Sequence, residues 1–179
     1  MRTTKRYTNT TFTHRVDHDG GRHRPPKPPP EPILCAGCGA IYAHKRWSRA
    51  PGARLRATSR AGHPVAIDVR ICPACRRRNA RVPHGFVHVD GEFIPTHRDE
   101  ILRLLHNEVD RAAEDNPLEQ VLDWGDDGTG GVLVTTTTEH LAIRLGRALE
   151  KAFDGKLLFG FSHENKLAHV WWHREVPSI

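Results

Sequence analysis

The chain has 179 residues, 37% of them apolar, and its 27 Lys and Arg side chains exceed its 21 Asp and Glu side chains. This length allows one moderate domain or two small ones, and the low apolar fraction predicts that part of the chain lacks a hydrophobic core of its own. No apolar run approaches the roughly 18 residues of a membrane-spanning helix. The polar residues after Met1 also lack the apolar stretch of a secretory signal, so we expect a cytoplasmic protein.

Charge is distributed unevenly along the sequence. Residues 1–34 hold seven Lys and Arg against three acids, residues 35–82 hold eleven against one, and residues 83–179 hold nine against seventeen. A chain whose basic charge is confined to one half commonly binds a polyanion through that half. A solvated charged surface would have the same composition. The excess of Arg over Lys, 21 to 6, suits phosphate recognition but would also follow from genome composition.

Residues 1–34 show no hydrophobic periodicity and contain a proline tract over residues 25–30. We predict a disordered, basic, proline-rich arm in which the tract forms extended polyproline II. Three interpretations stay open: a plain spacer, an arm that becomes ordered on nucleic-acid backbone, and a ligand for a proline-binding domain. The basic residues that would contact nucleic acid are Arg2, Lys5, Arg6 and Arg15.

The four cysteines of the chain form two C-x-x-C pairs, Cys35 with Cys38 and Cys72 with Cys75, and 33 residues separate the pairs. Two such turns can supply a tetrahedral shell of four thiolates, which is the geometry of a closed, structural zinc site. The separation exceeds the roughly 15–20 residues usual for this pattern. Two disulfides would need an oxidising compartment, and a redox C-x-x-C would need a neighbouring βαβ unit. An iron–sulfur cluster uses the same ligands and stays open.

Residues 35–82 are predicted to form a zinc-ribbon module with strands at Ile41–Ala43 and Val65–Ile71. A basic loop lies between these strands, and an arginine run follows the second cysteine pair. Trp47 could stack on a base or could pack on the metal site as part of a small core. The candidate nucleic-acid-binding residues of this module are Lys45, Arg46, Trp47, Arg49, Arg54, Arg56, Arg76, Arg77, Arg78 and Arg81.

Residues 83–179 are predicted to form an α+β domain. Its expected elements are a hairpin over 86–94, a helix from Thr96 until Pro117, strands over 118–124 and 132–136, a helix capped by Thr137 or Thr138, and strands over 157–161 and 167–172. The second helix carries a clear apolar stripe, because leucines recur at residues 141, 145 and 149. Two helices on one face of a four-stranded antiparallel sheet would form a sandwich, similar to a permuted ferredoxin-like fold.

The sequence contains none of the G-x-S-x-G, P-loop or H-E-x-x-H motifs. Asp126 and Asp127 lie in a glycine turn, where acids usually serve backbone geometry. The threonines at 135–138 lead into a helix and could hold a phosphate, but strand and cap roles are favoured. We therefore predict that the protein is not an enzyme and binds no small-molecule substrate.

Several segments together resemble bacterial zinc-ribbon proteins of unassigned function. Besides both cysteine pairs, the resemblance is carried by Pro83–Val87, His97–Ile101, Thr135–Leu149 and Phe153–Leu157, and it covers roughly residues 30–174. These proteins look like short relatives of the archaeal and eukaryotic adaptor that binds the large ribosomal subunit during export and maturation. The adaptor has further C-x-x-C pairs and further domains, so the resemblance implies ribosome binding but not export.

The sequence thus predicts a non-enzymatic protein that holds one structural zinc ion and binds ribosomal RNA, with the large ribosomal subunit as the favoured partner. The roles open to such a protein are silencing of idle ribosomes under stress, subunit assembly and quality control. The alternatives are a DNA-binding or transcription-associated zinc ribbon and a protein-interaction scaffold. The oligomeric state is left open.

Overall fold

A computed structural model of the chain describes residues 32–49, 67–128, 130–162 and 167–176. The predicted arm lies outside the described residues, including Arg2, Lys5, Arg6 and Arg15. The middle of the basic loop, with Arg54 and Arg56, also lies outside them.

A small sheet carries the first cysteine pair. Its strands are β1 Ile33–Cys35, β2 Ile41–Ala43, β3 Arg46–Ser48 and β4 Asp68–Arg70, in the spatial order β3-β2-β1-β4. Strand β1 pairs antiparallel with β2 and parallel with β4, so the segments before each cysteine pair run side by side. Strand β2 has the predicted bounds, and β4 lies within the predicted strand.

A larger, five-stranded mixed sheet forms the rest of the fold with two long helices, which confirms the α+β class. Its strands are β5 Gly85–Asp90, β6 Val121–Asp126, β7 Val132–Thr136, β8 Lys156–Ser162 and β9 Leu167–His173. The helices within the described residues are α1 Pro73–Ala80, after β4, α2 Ile94–Asp115, after β5, and α3 Glu139–Phe153, after β7. The strand order is β6-β7-β5-β9-β8, and β5 and β9 are parallel. Among the described residues, no helix has the length and apolarity needed to cross a bilayer.

The hairpin prediction for residues 86–94 is wrong, because only its first half is a strand. Strand β5 ends at Asp90, and Gly91 accepts a hydrogen bond from the Ile94 amide as the chain turns into α2. Phe93 and Ile94, which appeared to continue a strand, are buried at the start of this helix. Strand β5 does not pair with a following strand but lies in the middle of the sheet, between β7 and β9. The sheet thus has five strands, whereas four were predicted.

The hydrophobic core lies between one face of the five-stranded sheet and the two long helices. Alternate residues of the central strands face it, among them Val87, Val134 and Trp172, and all three are fully buried. Helix α3 contributes its predicted stripe and is capped as predicted by Thr138, whose hydroxyl accepts a hydrogen bond from the Leu141 amide at 3.2 Å. At about 1.5–3 kcal/mol per buried large side chain, this core is the main source of stability in the domain.

Two segments that the sequence offered as weaker candidate sites, the aspartates at 126–127 and the threonines at 135–138, form structural hydrogen bonds. Asp126 and Asp127 accept backbone hydrogen bonds from Gly128 and Gly131, each at 2.8 Å, within the predicted turn. The hydroxyl of the buried Thr137 donates to the Leu118 carbonyl at 2.7 Å, which ties β7 to the segment before β6. These contacts agree with turn and strand roles for both segments.

Candidate metal centre

The four cysteines converge on one point, as the sequence predicted. Their Sγ atoms all lie within 4.8 Å of one another, and those of Cys38 and Cys72 are 3.7 Å apart. Three of the four residues are buried, and none of the four takes part in a disulfide. The arrangement could hold one metal ion inside a closed shell of four sulfurs.

The first pair is held by the tight turn that follows β1. The amide of Gly37 donates to Cys35 Sγ at 3.4 Å, and the amide of Cys72, from the second pair, donates to the same sulfur at 3.2 Å. A Cβ atom added at Gly37 would lie 2.9 Å from Cys75 Sγ. Glycine is therefore needed at this position, because any larger residue would push into the sulfur cluster.

The second pair is held by the start of α1. Cys72 is the N-cap of this helix, and its sulfur accepts a hydrogen bond from the Cys75 amide at 3.4 Å. Pro73 occupies the first turn, where its missing N–H leaves no hydrogen bond unmade. The amino end of a helix favours negative charge, so the backbone itself stabilises thiolates at this position.

The thiol groups differ strongly in their acidity when no ion is bound. Burial raises the pKa of Cys35, but the amides of Cys72, Cys38 and Gly37 outweigh burial and lower this pKa to about 6. Burial raises the pKa of Cys72 and of Cys75, because a buried thiolate loses its hydration, and contacts with neighbouring cysteines add to the effect. A cation at the centre would offset this cost by stabilising the thiolates, so the cluster is suited to a divalent ion.

The spacing of the sulfurs fits a single ion. A tetrahedral shell with metal–sulfur bonds of about 2.3 Å places its sulfurs about 3.8 Å apart. The Sγ–Sγ distances, 3.7 Å for Cys38 and Cys72 and at most 4.8 Å for all pairs, are close to this value. In a multi-iron cluster the thiolates bind different irons and must spread further apart. The geometry therefore favours one mononuclear ion over an iron–sulfur cluster.

Arg78 gives the centre a positive neighbour that sequence analysis missed. Its Nη2 atom lies 3.7 Å from Cys75 Sγ, one helical turn away along α1. Four thiolates and one divalent ion carry a net charge of −2, so a nearby guanidinium stabilises the loaded centre. The i, i+3 spacing of the two residues was the signal that could have identified this contact.

A small apolar cluster surrounds the cysteines. Ala40 and Ala74 are buried in it, and the half-buried Trp47 and Leu118 pack against it. The Trp47 ring also lies 5.4 Å from the Tyr42 ring. Of the two interpretations of Trp47, the structure thus supports packing in the core of segment 35–82, which we call the metal module.

Two arginines join the metal module to the larger sheet and its helices. Arg77 Nη1 donates to the Thr137 carbonyl at 2.8 Å, and Arg46 Nη2 donates to the Asp115 carbonyl at 3.2 Å. The packing of Leu118 on the cysteine cluster adds an apolar contact between the same two parts of the chain. Segments 35–82 and 83–179, predicted as separate domains, therefore contact each other directly.

The remaining described candidates for nucleic-acid binding lie around the centre on the surface. Arg76, Arg78 and Arg81 are exposed on and just after α1. Arg81 ends this helix in the left-handed conformation, and its amide bonds to the carbonyls of Arg77 and Arg78. Lys45 and Arg49 are exposed at either end of β3. These described basic side chains thus lie on or beside the short elements β3 and α1.

The chain was also compared with known proteins. No protein-family model, no curated protein and no solved structure matches it significantly.

Proposed function

We propose that this protein is a non-enzymatic, zinc-binding protein of the cytoplasm that binds ribosomal RNA, with the large ribosomal subunit as the favoured partner. The observation that carries the proposal is the set of exposed arginines, Arg76, Arg78 and Arg81, on the helix that supplies two of the four metal-binding cysteines. Metal binding would fix the start of that helix and therefore the positions of its guanidinium groups.

Zinc is the ion that this centre suits best. Four sulfur ligands at tetrahedral spacing, with no side-chain oxygen or nitrogen among them, form the usual structural zinc site. Cysteines that stay reduced as metal ligands are typical of the cytoplasm. Because all four positions of the shell are filled by protein, the ion would stabilise the fold and would leave no position for a reacting water.

Charge supports an RNA partner. Residues 35–82 carry eleven Lys and Arg and one acid, whereas segment 83–179 carries nine Lys and Arg and seventeen acids. The protein would therefore meet RNA with its metal module first. Preference for the ribosome rests on the sequence resemblance to the ribosome-binding adaptor family, which stays a prediction. Silencing of idle ribosomes, subunit assembly and quality control are the roles that we propose for it.

The proposal is tested with purified large subunits and two matched triple variants. One reverses the charge of Arg49, Arg76 and Arg81 and leaves Arg77 and Arg78 unchanged, because Arg77 bonds to the Thr137 carbonyl and the exposed Arg78 also contacts Cys75 Sγ. The control reverses three exposed basic residues on α2 and α3: Arg103, Arg147 and Lys151. Both triple variants change the net charge by the same amount.

We expect the first triple variant to lose binding while the control triple variant keeps it. Each lost phosphate contact should also make the log–log dependence of affinity on salt shallower by about 0.7–0.9. Equal loss of binding by both variants would mean that only net charge matters. If duplex DNA competed as well as RNA, the DNA-binding alternative would lead.

A further inference from the structure

One face of the five-stranded sheet is not used by the core. Both long helices pack on the opposite face, where Val87, Val170 and Trp172 are buried. Because side chains alternate along a strand, the neighbours of these residues point the other way. On the two central strands β5 and β9 those neighbours include four aromatic or imidazole side chains: Phe86, His88, His169 and Trp171.

The four rings form a stacked array. Phe86 lies opposite His169, and His88 opposite Trp171, in the parallel pairing of the two strands. The Phe86 and His169 rings are 4.6 Å apart and 7° from parallel. The Trp171 ring lies 5.5 Å from His169 and 5.6 Å from His88, at 17° and 15°. Rings this close to parallel present their faces in the orientation in which planar groups stack.

Trp171 is the most accessible ring of this ring array. Its side chain is 38% exposed, whereas its chain neighbour Trp172 is fully buried. On the next strand, a Cβ atom added at Gly160 would lie 2.9 Å from the six-membered ring of Trp171. The absence of a side chain at Gly160 thus lets the indole extend over the sheet.

A basic cleft opens on the same side of the sheet. It has a volume of 460 Å³, and its lining includes Arg78, Arg81 and Thr135 together with one acid, the exposed Asp123. Thr135 is directly paired with Phe86, so the cleft adjoins the ring array at one strand spacing, about 5 Å. Arginines beside stacking rings are the combination with which proteins bind the phosphates and bases of single-stranded nucleic acid.

We infer that the open face of the five-stranded sheet binds unpaired bases of single-stranded RNA, which stack on Phe86, His169 and Trp171 while Arg78 and Arg81 contact the adjacent phosphates. This inference rests on the proposed function and specifies it, because it makes unpaired RNA rather than duplex the ligand of this face.

The chemistry of the ring array favours a base over a charged partner. Burial and the neighbouring His169 lower the pKa of His88, so this imidazole is neutral at neutral pH. The flat array offers a stacking surface, and two arginines line the cleft beside it. That division matches a nucleotide, which has a planar neutral base and a charged phosphate.

The test uses the full, metal-loaded chain and a labelled, unstructured uridine-rich RNA of about ten nucleotides, within the usual site size for such surfaces. The double variant Phe86→Leu/Trp171→Leu removes two rings but keeps apolar side chains. The control Phe159→Leu/Phe161→Leu removes two rings that are 40% and 54% exposed on β8 and point to the other face of the sheet. Thermal melting and metal content verify that both variants fold.

We expect the Phe86/Trp171 variant to bind the RNA at least about 10-fold more weakly, since one stacked base commonly accounts for about 5- to 160-fold in affinity. The Phe159/Phe161 variant and the affinity for duplex RNA of equal charge should change less than about 2-fold. Trp171→Phe, which keeps a ring, should retain most of the binding.

Three outcomes would overturn the inference. Equal affinities for both double variants would show that the rings do not contact RNA. Undetectable binding of the single strand by the wild-type chain, alongside intact binding to large subunits, would reject this face but keep the proposed function. A dimer that the Phe86/Trp171 variant dissociates, without RNA binding, would make the ring array a contact between two copies of the chain.

Discussion

The hydrogen bond between Arg77 and the Thr137 carbonyl is expected to hold the metal module against the larger sheet. The hydrogen bond is 2.8 Å long and partly buried, and Thr137 itself is fully buried. A hydrogen bond to a charged group contributes about 1.5–3 kcal/mol, and its loss leaves the carbonyl without this donor. We therefore expect Arg77→Met, which keeps the apolar stem, to lower the free energy of unfolding by about 1.5–3 kcal/mol.

The neighbouring Arg76 provides the matched control. It is exposed on the same helix, so Arg76→Met removes an equal charge and should change the free energy of unfolding by less than about 0.5 kcal/mol. Urea unfolding of the metal-loaded proteins, followed by circular dichroism, measures both. With an m-value of about 2 kcal/mol/M, the Arg77 midpoint should fall by roughly 0.8–1.5 M. Coincident unfolding curves for the two variants would refute the attachment through Arg77.

Three further predictions concern the metal, the core and the pH dependence. Cys72→Ser should lose the single bound ion, zinc by elemental analysis, and melt the metal module while the larger sheet stays largely folded; iron with a visible charge-transfer band would contradict the assignment. Leu105→Ala, at a fully buried position, should cost about 2–5 kcal/mol of unfolding free energy in urea, and a cost below 1 kcal/mol would contradict the described core. Hydrogen bonds to Asp90 and Glu175 raise the pKa of His173. The protonated imidazole therefore contributes to the free energy of unfolding, by about 0.2–1 kcal/mol for so exposed a group. This contribution is fully present below pH about 6.5 and is lost as the pH rises through the folded-state pKa. Asp90→Asn should flatten unfolding stability across that window, and an unchanged pH profile would show that the pair does not form.

Local patterns predicted the elements whose signals lie within a few residues. The bounds of β2 and β7 match the predicted strands, and Thr138 caps α3 as its position before an apolar stripe indicated. The two C-x-x-C pairs predicted one cluster, because two such turns can together supply the four thiolates of a tetrahedral site. The four Sγ atoms do lie together.

The role of strand β5 could not be predicted in the same way. Its partners β7 and β9 are distant in sequence, and nothing in residues 85–90 specifies which strands will flank them. Phe93 and Ile94 fit a strand pattern as well as a helix start, and only tertiary packing decides between the two. The open face of the sheet was missed for this reason, although the alternation in β5 and β9 already separated Phe86 and Trp171 from the buried residues.

The contact between Arg77 and Thr137 could not be predicted from the sequence, because Arg77 lies within a run of three arginines. Within a run of three arginines, the sequence gives no reason to separate the side chain that bonds to Thr137 from the exposed ones on either side. Their different roles depend on the orientation of α1, which is set by the cysteines at its start.

The proposed binding of the basic metal module to the ribosome is tested most directly by sedimentation of cell extract through a density gradient. At low salt the protein should migrate with ribosomes or large subunits, and at high salt it should return to the top of the gradient, because each phosphate contact releases counterions. Added duplex DNA of equal charge should not displace it. A protein that stays at the top of the gradient at every salt concentration would contradict the account.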